Sequence, residues 1–155
     1  MKTLLALLAL PALATPLTAA AKPPAVKIVD AWCRPAPKGA LSAGCYVTLT
    51  APTDDRLIAV ETPAAGRGEI HTMSMTGGVM RMRKLADGIA LPAGKPVALK
   101  PGAEHLMLIG PKTALTPGAT VALTLRFKTA APVTVTAPVK TAPPPSMSGM
   151  SMESH

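Results

Sequence analysis

Aromatic side chains are almost absent from this chain of 155 residues, which has one Trp, one Tyr and one Phe. So little π surface excludes nucleic-acid binding by base stacking and leaves a core to be built from Val, Leu, Ile, Ala and Met. Cysteine is nearly as rare: Cys33 and Cys45 stand alone, at a spacing that is neither C-x-x-C nor a familiar zinc pattern. No stretch carries a 3.6-residue apolar period long enough for a secure helix. No apolar run beyond the N-terminus approaches the length of a membrane span. Neither paired carboxylates nor a Ser/His/Asp grouping stands beside the histidines, which argues against an enzyme. Acidic residues are also scarce, 8 against 16 basic ones, for a formal charge of +8. Apart from "RMRK" at 81–84 the basic residues are scattered singly, the pattern of a solvated surface rather than a nucleic-acid interface.

What is present begins with "MKTLLALLALPALATPLTAAAK". Lys2 forms a basic n-region, Leu4 to Leu10 an apolar run, and Ala19-Ala20-Ala21 a small-residue end, the order of a secretory signal peptide. The run is too short to span a bilayer, and Pro11 and Pro16 break the alternative of a buried helix. The expectation is a signal peptide over 1–21, cleaved after Ala20 or Ala21, and a soluble exported protein. No cysteine stands just past that point, which argues against a lipid anchor. Export makes a disulfide the default fate of Cys33 and Cys45, worth about 3 kcal/mol for so short a loop in the chain-entropy model. A redox or metal-binding thiol pair is the alternative.

Between residues 26 and 137, β-favouring runs such as "VKIVDAW", "CYVTLT", "LIAVET", "VALTLRF" and "VTVTAPV" alternate with "RPAPKGALSAG", "PAAGRG", "LPAGKP", "KPGAEH" and "TPGAT". Many short strands separated by Pro/Gly turns predict an all-β sandwich or barrel. The domain is expected over 22–140. Past it, "TAPPPSMSGMSMESH" reads as a disordered Met/His-rich tail over 141–155.

One segment concentrates unusual chemistry. "HTMSMTGGVMRM", residues 71–82, places four methionines and a histidine around Gly77-Gly78, the best two-residue hairpin turn in the stretch. A turn there sets Thr76 against Val79, Met75 against Met80 and Met73 against Met82. Strand alternation then gathers His71, Met73, Met75, Met80 and Met82 on one face, with Thr72, Ser74, Arg81 and Arg83 solvated on the other. A second strand after "KPGAE" aims His105 and Met107 at one face and Leu106 and Leu108 at the other. If the two strands are neighbours, two His and at least two Met converge.

Thioether sulfur is soft, neutral and indifferent to pH, so such a set with imidazole selects Cu(I) over zinc, calcium or magnesium. Neutral donors leave the ion's charge uncompensated, where thiolates would hold it harder. That suits a carrier, which must release, better than a permanent cofactor pocket. A Met stripe at strand spacing also serves as ordinary packing. The metal reading is favoured because His71 and His105 both sit beside these methionines, the chain carries an export signal, and the tail repeats the composition.

These residues resemble the periplasmic copper chaperones of the PCu(A)C type, which carry a histidine, a methionine eleven positions on, and later a His-x-Met pair. Here the pattern is His71, Met82 in "GGVMRM", then His105 and Met107 in "KPGAEHLMLIG"; the stretch between Met82 and His105 is one residue longer than the family's spacing. The likeness runs from "DAWCRPAPKGALSAGCYVTLT" to "VTVTAPV". It implies a cupredoxin-like Greek-key β-barrel or sandwich, monomeric, that binds one Cu(I) through His71, Met82, His105 and Met107. Met73, Met75 and Met80 become neighbours of the ligands or packing residues. It also implies a copper-accepting partner, such as the binuclear copper A site of cytochrome c oxidase or an assembly factor. The tail resembles the His/Met extensions of some members, which implies a second copper site with Met147, Met150, Met152 and His155, weaker because a flexible segment must be ordered, and suited to Cu(II) as well.

The competing readings are a copper-sequestering protein, an electron-transfer cupredoxin, and a β-sandwich binding domain without metal. A cupredoxin needs a Cys thiolate with two His, and no His stands near either cysteine in sequence.

Overall fold

The computed structural model describes residues 25–141; the expected signal peptide and residues 142–155 lie outside the described residues. Ten strands follow one another: β1 (Lys27–Cys33), β2 (Ser42–Thr50), β3 (Asp55–Glu61), β4 (Ala65–Thr76), β5 (Val79–Lys84), β6 (Ile89–Leu91), β7 (Pro96–Leu99), β8 (His105–Pro111), β9 (Thr120–Phe127) and β10 (Val133–Pro138). The all-β expectation is met. One sheet runs β1-β2-β8-β4-β5, with β7 also on β2, and a second runs β10-β9-β3-β6. Every pairing between strands is antiparallel.

Period-2 patterning drives the packing of the two sheets. In β9, Val121, Leu123, Leu125 and Phe127 are buried while Thr120, Ala122 and Arg126 are exposed, as a half-buried strand requires. From the other sheet Val47, Leu49, Ile70, Leu106 and Leu108 join the same core. Each fully buried Leu or Val contributes roughly 1.5–3 kcal/mol relative to leaving it exposed, so an aliphatic core compensates for the missing aromatics. Cys33 and Cys45 are paired directly across β1 and β2, joined by a disulfide with S–S 1.99 Å and Cα–Cα 4.0 Å. A parallel bridge from Cys33 to Val139 ties the first sheet to the chain just past β10.

One segment differs from its reading as a plain turn. "PAAGRG" does not end before the strand: β4 starts at Ala65 and includes Gly66 and Gly68. A Cβ on Gly68 would lie 2.4 Å from the Val60 carbonyl oxygen, so glycine there lets β4 pass close to β3 rather than break the strand. The turn read in "LPAGKP" does join two strands, β6 and β7, which are short and which local propensity hides because cross-strand partners define them.

β4 is 12 residues long and changes partner at His71. Ala65 to His71 pair with β8, and His71 to Thr76 pair with β5. The β4–β5 hairpin thus projects beyond the end of β8, and every residue of β5 is exposed. Its turn has Gly77 and Gly78 at φ 59° and 76°, the left-handed region a tight hairpin demands.

Candidate metal site

β8 shows where the first sheet carries something on its outer face. Leu106 and Leu108 point into the core, yet His105 and Met107, which alternate with them, are also buried, at 5% and 8% exposure. Alternation puts these two on the face away from the core. There Met107 lies between Gly44 of β2 and Glu69 of β4. His105 is paired with His71, and His71 with Lys84 of β5. Next along the same face come the pairs Met73–Met82 and Met75–Met80.

A depression of about 270 Å³ opens on this face, lined by Met73, Met82, His105 and Met107 together with Tyr46, Gly44, Ser42, Arg34, Pro101 and Gly102. Met107 and His105 form its buried floor. Met82, 48% exposed, forms a lip that faces solvent. The His71 ring stands beside it, 5.9 Å from the His105 ring between centroids. Met73 and Met82 are cross-strand partners that both line the depression, so its outline does not choose between them. Met75 and Met80 lie farther out on the hairpin, 64% and 48% exposed, and do not line it. Thr72 and Ser74, expected to be solvated, are half-buried, and the Thr72 hydroxyl donates to Glu104 at 3.2 Å. Met147, Met150, Met152 and His155 lie outside the described residues.

Hydrogen bonds fix both imidazoles. His105 Nδ1 is 2.9 Å from the Ala103 carbonyl, which can only accept. Nδ1 therefore carries the proton, leaving the Nε2 lone pair free. His71 Nε2 is 2.8 Å from Glu69 Oε2, so that nitrogen is the donor. His71 Nδ1 is buried and has no hydrogen-bond partner among the described residues. Glu69 also accepts from Arg67 Nε at 2.9 Å and Lys84 Nζ at 3.2 Å. The His71 N–H, then the Arg67 and Lys84 cations, hold its carboxyl down to about 2, so it is an anion at any physiological pH.

Tyr46 covers another wall. A Cβ on Gly44 would meet the Tyr46 hydroxyl at 2.9 Å, so the ring lies over Gly44, and a larger residue there would make its tip shift. Its centroid is 6.5 Å from that of His105 and 4.6 Å from that of Trp32; the single Tyr and single Trp of the chain thus meet at this site. Burial pushes the Tyr46 phenol up, and Arg34 partly offsets it.

Among the described residues no three His, Cys, Asp or Glu side chains converge as a metal site. The soft donors that the floor and lip present are the thioethers of Met107, Met73 and Met82, beside the His105 and His71 imidazoles.

The model of the LpqE-like family, described as "Putative lipoprotein LpqE-like", matches residues 26–139. The chain belongs to the LpqE-like family. Within reach of it is "Putative lipoprotein Lxx21020" of Leifsonia xyli subsp. xyli, 31% identical over 115 residues, which cover 74% of this chain and 69% of the relative. Among solved structures the fold is similar to the copper-bound PCuAC domain from PmoF2, with TM-score 0.61 and 27% identity over 76% of this chain and 93% of that one. It is also similar to the Cu(I) form of DR1885 from Deinococcus radiodurans, with TM-score 0.60 and 27% identity over 78% of this chain and 81% of that one. This member of the LpqE-like family therefore has a PCuAC-like, cupredoxin-like β-sandwich fold. Cys33 and Cys45, the two cysteines of the chain, are joined in the disulfide. Among the described residues no helix is long and apolar enough to cross a membrane.

Sequence reading missed Glu69, Tyr46, Gly44 and Arg34. Glu69 was within reach, because residue 69 shares a strand face with 71. The others come from strands and loops whose adjacency only the fold supplies.

Proposed function

We propose that this protein is a periplasmic copper chaperone. It carries one Cu(I) on His71, Met82, His105 and Met107 and passes it to an apo-cuproenzyme, such as the copper A site of cytochrome c oxidase, or to an assembly factor. The observation that carries the reading is the convergence of His105, Met107 and Met82 on one depression, with the His71 ring beside it. The similarity to copper-bound PCuAC domains supports the same ion. Export in the signal-peptide reading, and relatives described as lipoproteins, fit a role outside the cytoplasm.

The donor set suits transfer. Two imidazoles and two thioethers are all neutral, so the ion keeps its +1 charge and binds less tightly than it would to thiolates. The buried pair His105 and Met107 holds it from below, and the exposed Met82 is the ligand an acceptor displaces first. Electron transfer of the blue-copper kind is disfavoured, because it needs a Cys thiolate and Cys33 and Cys45 are bonded to each other. In the tail, Met147, Met150, Met152 and His155 would form a second, weaker site for Cu(I) or Cu(II).

Anaerobic Cu(I) titration of the mature protein against a competing chromophoric chelator tests the proposal. The expected result is one tightly held equivalent that is lost in His105→Ala. An absence of Cu(I) binding would leave a β-sandwich binding domain whose Met face is packing. An intense blue absorption with Cu(II) would favour the cupredoxin instead.

A further inference from the structure

We infer that Glu69 is a positioning residue that makes His71 a ligand through Nδ1, while His105 binds through Nε2, so that two facing imidazoles offer opposite ring nitrogens to one Cu(I). The inference rests on the copper reading above and adds which atoms bind and what holds them.

The starting point is an imbalance between the rings. Each has one nitrogen engaged by a group that can only accept: His105 Nδ1 by the Ala103 carbonyl and His71 Nε2 by the Glu69 carboxylate. A neutral imidazole has one N–H and one lone pair, so the engaged nitrogen fixes the tautomer and the other becomes the donor to a metal. For His71 the other nitrogen is Nδ1, buried and without a partner. A buried polar atom with no partner is rare in a folded protein and asks for one. It belongs to the ring that stands 5.9 Å from His105, on the face that carries Met107 and Met82.

Glu69 is built to hold this arrangement. It lies two residues before His71 on the same strand face and directly opposite Met107 across β4 and β8. Its side chain is only 12% exposed, and Arg67 and Lys84 grip the oxygen that His71 leaves free. Turning the imidazole over about its Cβ–Cγ bond would set a carbon against the carboxylate and forfeit a charge-assisted hydrogen bond. The carboxylate also places a negative charge one ring away from a cation whose own donors are all neutral. A carboxylate behind a ligating histidine both orients the ring and strengthens its bond to metal.

Long-range ¹H–¹⁵N correlation NMR on the ¹⁵N-labelled mature chain, at mildly alkaline pH, reads the tautomers directly. The metal-free protein should show His71 protonated at Nε2 and His105 at Nδ1. Adding Cu(I), or Ag(I) as a redox-inert probe, should shift His71 Nδ1 and His105 Nε2. Glu69→Ala should leave His71 a mixture of tautomers and weaken Cu(I) binding about tenfold or more. Glu69→Gln, which keeps an accepting oxygen without the charge, should restore the tautomer and part of the affinity, and it guards against misreading a folding defect in the alanine variant. A metal-induced shift at His71 Nε2, or an unchanged tautomer in Glu69→Ala, would overturn the inference alone. If the metal-free tautomers are as stated and neither ring responds to either metal, the copper reading falls and the ligand assignment falls with it.

Discussion

His71 and His105 face each other directly across the antiparallel β4–β8 ladder, ring centroids 5.9 Å apart. That one pairing brings the Met-rich hairpin and the His-x-Met strand together. It occurs at the residue where β4 leaves β8 for β5, so His71 belongs both to the sandwich and to the projecting hairpin. The site therefore has a buried floor, His105 and Met107, and an exposed lip, Met82.

Sulfur at Met107 should matter more than its volume. Met107→Leu keeps an apolar side chain of similar size, and such swaps usually cost less than about 1.5 kcal/mol. Cu(I) affinity in this variant should nonetheless fall at least tenfold in chelator competition, as it should in His105→Ala. Met75→Leu, altering a side chain that is 64% exposed and off the depression, should change it little. Equal and negligible effects in all three would remove the ligand assignment.

How far the sequence revealed this arrangement depends on the range of the interaction that fixes each part. The hairpin register was legible because Gly77-Gly78 sets it locally, and the pairs Met75–Met80 and Met73–Met82 follow by counting outward. The sandwich was legible from alternation in runs such as β9. Neighbouring strands β4 and β8 could only be supposed, since no local pattern specifies which strands pair. Gly68 read as a turn residue for the same reason: the Val60 carbonyl that requires a glycine there lies on another strand. The Ala103 carbonyl that orients His105 is a backbone atom, and no side-chain pattern announces it.

That close approach gives the second prediction. Gly68→Ala would push a methyl group against the Val60 carbonyl oxygen, a backbone atom that cannot swing aside. Overpacking of this kind costs typically 1–3 kcal/mol, about the upper end where backbone must move. Chemical denaturation should show the loss as a lower midpoint at unchanged slope. Stability within a few tenths of the parent would mean that β3 and β4 are farther apart than described.

The cysteine pair supplies a third. Native protein alkylated before denaturation should show no modified thiol by mass spectrometry, and the double variant Cys33→Ala/Cys45→Ala should be less stable by about 3 kcal/mol in the chain-entropy model. Copper affinity should survive, because Cys45 faces the core while its neighbours Gly44 and Tyr46 face the depression. Two alkylated thiols in the native protein would reopen the redox reading.

Acid should expose the role of Asp55. Burial pushes its carboxyl up, but the backbone N–H groups of Ala130, Arg56, Thr129 and Lys128 bring it below its ordinary value. Oδ1 accepts from Arg56 and Thr129 at 2.7 and 2.9 Å, and Oδ2 from Ala130 at 2.8 Å, which fastens the β9–β10 connection to the start of β3. A carboxyl whose folded pKa lies below the unfolded one stabilises fully above about pH 4 and loses that contribution as pH falls through the folded value. Asp55→Asn sets an amide N–H₂ against a backbone donor and should cost about 1–3 kcal/mol near neutral pH. The gap between parent and variant should narrow below pH 4. A gap independent of pH would mean that the carboxylate's charge is not what holds the loop.

The tail tests whether copper binding is confined to the folded domain. Met147, Met150, Met152 and His155 lie close together in the sequence, just past the three consecutive prolines Pro143, Pro144 and Pro145. Any residue that must be ordered to hold an ion costs roughly 1–2 kcal/mol of backbone freedom at the moment of binding. A tail site is therefore expected to be weaker than one whose ligands the β4–β8 pairing already holds in place. Deleting residues 142–155 should leave Cu(I) affinity at His71, Met82, His105 and Met107 within a few fold, while removing a second equivalent of bound copper, including Cu(II) held by His155 with nearby oxygen or backbone donors. Metal stoichiometry by mass spectrometry and Cu(II) electron paramagnetic resonance on the two forms separate these contributions. If the truncated protein binds as much Cu(I) and Cu(II) as the full mature chain, the tail is a solubilising extension and transfer rests on the folded domain alone.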